Sequence, residues 1–80
     1  MHTELDLKKA RMRVAATRTA APINSHWRHK NRGSRYWVQA VGIREEDGEP
    51  LVIYRDSKVG TCWVRPASEF LDGRFERVLE

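Results

Sequence analysis

Five short runs rich in β-branched and aromatic residues, each closed by a turn signal, occupy residues 25–79. They are SHWRHK at 25–30, YWVQAVGIRE at 36–45, LVIYRD at 51–56, TCWVRP at 61–66 and RFERVL at 74–79. Gly33, Asp47-Gly48, the SKVG stretch at 57–60 and Gly73 punctuate them. Such runs, so bounded, read as strands. Pro66 stops the fourth strand because it lacks a backbone donor. ASEFLD at 67–72 reads as a single helical turn. Four strands, a helical turn and a closing strand is the order of a small, mainly β, five-stranded SH3-like barrel. Closing a sheet on itself also removes exposed edges.

Residues 3–20 read differently. Thr3 can cap a helix, and Asp6 three residues later completes a capping-box pattern. Alanines at 10, 15, 16 and 20 favour helix. Leu5, Met12, Ala15 and Ala16, with Leu7, supply a narrow apolar stripe. Ala21, Pro22 and Asn24 then break the pattern. The expected organisation is a basic helical arm over 1–22, followed by a barrel domain over 23–80.

The two turns of the central hairpins set a register. A two-residue loop at Asp47-Gly48 pairs Glu46 with Glu49, so Val41 faces Tyr54 and Ile43 faces Val52. A four-residue turn over 57–60 pairs Asp56 with Thr61, so Tyr54 faces Trp63 and Val52 faces Arg65. Side chains alternate along a strand, which yields two faces. The first holds Tyr36, Val38, Ala40, Gly42, Leu51, Ile53, Cys62 and Val64, with Arg55 towards one end. It is the expected interior. The second holds Trp37, Gln39, Val41, Ile43, Val52, Tyr54, Trp63 and Arg65. Both faces are apolar, so something must cover the second. The candidates are the N-terminal helix, a second copy of the chain or a ligand. A chain of 80 residues buries a thin core, and a homo-oligomer, most simply a dimer, is expected.

The net charge of +4 is uneven. The arm alone carries +3, and Arg28, Lys30, Arg32 and Arg35 cluster within eight residues. Basic clusters attract phosphate-bearing or acidic partners, although any small surface carries charge. Trp37, Tyr54 and Trp63 can stack on nucleobases. Arg65, Arg55, Arg28 and Lys30 can pair with phosphate. These seven form the candidate ligand site. Trp27 reads as core, as does one further tryptophan of the three. Arg55 or Arg65 can instead be structural, with its stem over an aromatic ring and its head on Glu69 or Asp72.

Catalysis and metal binding find little support. His26 and His29 point to opposite sides of a strand and, with Cys62, do not make the four ligands of a structural zinc site. The carboxylates gather in the turn at Glu45, Glu46, Asp47 and Glu49. No phosphate-cradling glycine motif is present. No cofactor and no metal are expected. The single cysteine precludes an internal disulfide and fits a reducing cytosol. No apolar run approaches the roughly 18 residues of a membrane span, and the first residues lack the apolar stretch of a secretory signal. The expectation is a cytoplasmic protein with no membrane association.

WRHKNRGSRYWV at 27–38, LVIYR at 51–55 and WVRPASEFLDGRF at 63–75 together resemble a family of short bacterial and phage proteins, domain of unknown function number sixteen fifty-three. The matching positions are Trp27, His29, Gly33, Tyr36, Tyr54, Arg55, Trp63, Arg65, Pro66, Phe70 and Leu71. Trp37 departs from the family's usual polar residue. The resemblance implies a small SH3-like β fold and brings no activity. It also makes a phage or prophage accessory role, including counter-defence, an expectation. The leading expectation is a non-enzymatic binding module for a small nucleotide signal or single-stranded nucleic acid. The alternative is an inhibitor or adaptor docking an acidic protein partner.

Overall fold

In the computed structural model, which describes residues 3–79, a 17-residue helix precedes five strands. The order is α1 (Glu4–Ala20), β1 (His26–His29), β2 (Arg35–Ile43), β3 (Pro50–Asp56), β4 (Cys62–Pro66), α2 (Ala67–Phe70) and β5 (Phe75–Val78). All strand pairs are antiparallel, and the sheet order is β4-β3-β2-β1-β5. The fold is mainly β, with the helix and the helical turn where the sequence places them. The sheet is not closed into a barrel: β4 and β5 are its two edges.

Thr3 caps α1 as the sequence indicates. Its hydroxyl accepts from the Asp6 N–H at 3.1 Å, and the Asp6 carboxylate accepts from the Thr3 N–H at 3.2 Å. The buried stripe is not the expected one. Ala10, Val14 and Thr17 face the sheet, whereas Leu5 and Met12 are 60% and 63% exposed. Small residues win because the helix lies close against the backbone of the β2–β3 loop. A Cβ on Gly48 would sit 3.7 Å from that of Ala10. Thr17 satisfies its hydroxyl on the Arg13 carbonyl at 2.8 Å.

The β3–β4 register is the expected one: Tyr54 opposes Trp63 and Val52 opposes Arg65. The β2–β3 register is not. Ile43 pairs with Pro50 and Val41 with Val52. The connecting loop runs wider than two residues because Asp47 organises it. Its carboxylate accepts from the Glu49 N–H at 3.1 Å and from Arg44 at 2.6 Å and 3.0 Å, while the Gly48 N–H donates to the Arg44 carbonyl.

The larger departure is a β-bulge. Pairing runs Val38 to Tyr54 and then Ala40 to Ile53, leaving Gln39 as an extra residue. An extra residue reverses the alternation beyond it. The core therefore takes Tyr36 and Val38 from one expected face, and Val41, Val52 and Tyr54 from the other. Phe70, Phe75, Trp27, Ala67 and Ala21 pack with them. The aromatic rings meet edge-on or stacked, with centroids 4.6 Å apart for Phe70 and Phe75 and 5.1 Å for Trp27 and Phe70. Such pairs add stabilisation beyond area burial. The Trp27 indole N–H donates to the Ser25 hydroxyl at 2.8 Å. Of the tryptophans only Trp27 is buried.

Both helices lie on the core side. Thr17 of α1 and Ala67 of α2 flank Pro50, and Val14 adjoins Val41. The N-terminal helix thus supplies the cover that the sequence calls for. The opposite face, expected to be the interior, carries no helix: Val64 is 59% exposed there.

Candidate functional site

Six of the seven candidate ligand residues divide between the two faces, and Lys30 lies in a loop. Tyr54, Trp63 and Arg65 belong to the core side. Tyr54 is 4% exposed, so its ring is committed to the aromatic core. Arg65 is structural. Its Nε donates to the Tyr54 hydroxyl at 3.2 Å, its guanidinium lies 5.7 Å from the Phe75 ring centroid, and Nη1 meets Glu69 at 3.3 Å. Trp63, 48% exposed, sits at the margin of that side on the edge strand.

Next to this group, His29 packs edge-on against Phe75 at 5.1 Å, and its Nδ1 accepts from the Arg32 N–H. Burial, reinforced by Arg32, Arg65 and Arg74, pushes the His29 pKa below its ordinary value. Glu69 and Asp72 neutralise Arg65 and Arg74 here. This corner is a closed structural network.

Trp37, Arg55 and Arg28 belong to the open face. One row crosses the whole sheet there: Val78, His26, Trp37, Arg55 and Cys62 stand in register on successive strands. Arg28 lies two residues along from His26, so it shares their side, and it pairs with Glu76 on β5. Arg28 opposes Arg35. Lys30 follows β1 in the loop, exposed, its backbone N–H bound to the Arg74 carbonyl.

The environment of Arg55 differs from that of Arg65. Its Nε donates to the Gln39 side-chain carbonyl at 2.5 Å, and Nη1 donates to the Gly60 carbonyl at 2.6 Å. Both acceptors are neutral. The guanidinium is fixed in place, yet no carboxylate pairs with it among the described residues. Gln39 lies two residues along from Trp37, shares its side and so reaches Arg55. Sequence reasoning misses Gln39 because an apolar strand carries no sign of where an extra residue falls. Beyond this row the open face continues as an apolar strip of Leu51, Ile53 and Val64.

Among the described residues, no group of three or more His, Cys, Asp or Glu side chains could hold a metal ion, and no helix is long and apolar enough to cross a membrane. Cys62 is an exposed free thiol.

Comparison with protein families matches residues 25–77 to the family described as "Protein of unknown function (DUF1653)". The match begins after α1, takes in β1 to β4 and runs into β5. No curated protein and no solved structure matches the chain.

Proposed function

The chain belongs to this family of unknown function, and we propose that it is a non-enzymatic binding module that holds single-stranded nucleic acid on its open sheet face. The observation behind this reading is the Trp37–Arg55 pair. An indole stands directly opposite a guanidinium that neutral acceptors hold rigid and un-neutralised. A base stacked on the indole gains roughly 1–3 kcal/mol, and the adjacent phosphate meets a positive charge already fixed in direction. Arg28 and Arg35 stand opposite each other on the same side, Arg28 in an ion pair with Glu76. A small nucleotide signal normally asks for an enclosed pocket. A flat sheet face is better suited to an extended strand, which tracks over several side chains.

The test is fluorescence polarisation with an internally labelled single-stranded oligodeoxynucleotide. Trp37→Ala and Arg55→Gln are each expected to weaken binding about tenfold, a loss of about 1.4 kcal/mol. Arg65→Gln, measured where the variant is folded, is expected to bind as the parent does. Absence of binding by the parent, or an equal loss in the Arg65 variant, would refute the reading. Docking of an acidic protein on the apolar strip of Leu51, Ile53 and Val64 would then be the better account.

A further inference from the structure

The open face ends, beyond Arg55, in a notch between two loops. The β1–β2 loop and the β3–β4 turn wall it. Arg32, Ser34, Arg35, Asp56, Ser57 and Lys58 line a space of about 230 Å³. The backbone fixes the two loops to each other and to the sheet. The Ser57 N–H donates to the Arg35 carbonyl at 2.9 Å, the His29 N–H to the Ser34 carbonyl at 2.9 Å, and the Gly33 N–H to the His29 carbonyl at 2.7 Å. Gly33 takes a positive φ of 75°, which suits it to the tight turn.

We propose that this notch takes a phosphate monoester, the terminal phosphate of the strand held on the open face. The inference rests on the strand-binding reading for what the phosphate is attached to, and on the notch itself for the anion. Arg32, Arg35 and Lys58 line the notch together with one carboxylate, Asp56. That carboxylate is turned to local use: the Asp56 side chain accepts from the Lys58 and Val59 N–H groups at 2.7 Å and 3.0 Å. The Arg32 and Lys58 side chains have no hydrogen-bond or ion-pair partner among the described residues, nor do the Ser34 and Ser57 hydroxyls.

Size and charge select the ligand class. The space is below the roughly 300–1,000 Å³ of sites that enclose a whole small molecule. A monoester carries about −1.5 to −2 at neutral pH and three acceptor oxygens. A backbone diester carries one charge, so a notch with two unpartnered cations, Arg32 and Lys58, favours the end of a strand over its middle. Position agrees. Arg35 lies two residues from Trp37 on the same side of β2, about 7 Å along the strand, and Asp56 follows Arg55 directly.

The experiment uses the full chain and internally labelled oligodeoxynucleotides bearing a 5′-phosphate, a 3′-phosphate or neither. Inorganic phosphate is titrated separately, monitoring the amide resonances of Gly33, Ser34 and Ser57. One phosphorylated end is expected to bind about tenfold more tightly than the bare strand. Arg32→Gln with Lys58→Gln is expected to erase that gain and leave binding of the bare strand unchanged. Equal binding of all three strands, or a gain that survives the double substitution, would overturn the notch while leaving the open-face reading intact. Failure of every strand to bind would refute the open-face reading. Shifts of the three amides with inorganic phosphate would then still support the notch as an anion site, and their absence would overturn it.

Discussion

Arg65 donates from Nε to the Tyr54 hydroxyl at 3.2 Å while its guanidinium lies over Phe75, tying the last turn of β4 to the aromatic core. Arg65→Ala removes a hydrogen bond to a largely buried hydroxyl and the packing of an aliphatic stem. A loss of about 1–2 kcal/mol is expected. In a domain of this size that lowers Tm by roughly 4–16 °C, readable by thermal denaturation. An unchanged Tm would show the contact to be incidental.

Val64 and Val52 give opposite expectations for one substitution. Val64→Asp places a carboxylate on the open face, at a side chain already 59% exposed. It should fold, with a stability change within about 0.5 kcal/mol. Val52→Asp buries an unpaired carboxylate at a site with no solvent exposure. That costs several kcal/mol, comparable to the whole stability of a small domain. Circular dichroism of the two variants distinguishes the faces directly.

Strand binding through Arg55 and the unpaired cations Arg32 and Lys58 should weaken steeply with salt, since each neutralised phosphate releases counterions. For about three phosphate contacts on a single strand, the slope of log affinity against log salt is roughly −2. Titrations across a several-fold range of sodium chloride measure it. A slope near zero would favour an apolar protein partner.

The Arg44 guanidinium, hydrogen-bonded beside it, holds the Asp47 carboxyl at about 2, below its ordinary value of 3.8, with help from the Glu49 N–H. A carboxylate depressed in the folded state contributes stability above its unfolded value and loses it as pH falls through about 2. The pair is exposed, so its worth is small and screened by salt. Carbon-detected titration of the Asp47 carboxyl should give a midpoint near 2 in the parent, moving up towards 3.8 in Arg44→Ala. A midpoint that ignores the substitution would place the cause elsewhere.

On α1, Val14→Ser should cost about 2 kcal/mol, because Val14 is buried against the sheet. Met12→Ser, at an exposed position, should be near neutral. Urea denaturation of both variants tests which stripe of the helix is docked.

Much of this architecture is legible in the sequence wherever turn chemistry is local. The four-residue turn after Asp56 fixes the β3–β4 register, and the Asp56 N–H indeed bonds the Thr61 carbonyl at 3.0 Å. Thr3 with Asp6 marks the start of the helix, and Pro66 marks the end of β4. The β2–β3 hairpin is less legible because Asp47 recruits Arg44, three residues away, and widens the loop. The core face is less legible still. With apolar side chains on both sides of the strand, alternation cannot reveal a bulge, so Tyr36 and Val41 read as opposed when they share one interior. The site inherits that ambiguity. Trp37, Arg55 and Arg28 are gathered on one side, while Tyr54, Trp63 and Arg65 go to the other.

The extra residue at Gln39 also governs which length changes β2 can accept. Two stretches of the strand are read in different phases, and this one residue is the joint between them. Excising it would leave regular alternation, with Tyr36, Val38 and Val41 still inward, Trp37 and Ala40 outward, and the Val38–Tyr54 and Ala40–Ile53 pairs consecutive, but Arg55 would lose its Gln39 anchor. Surface loops can gain or lose a residue at little cost, and a one-residue deletion here would likewise keep the interior and the Trp37–Arg55 pairing while removing one of the two acceptors that hold Arg55. Position 39 is therefore where β2 can shorten by one residue without changing which side chains face inward, and what Gln39 adds is the hold on Arg55.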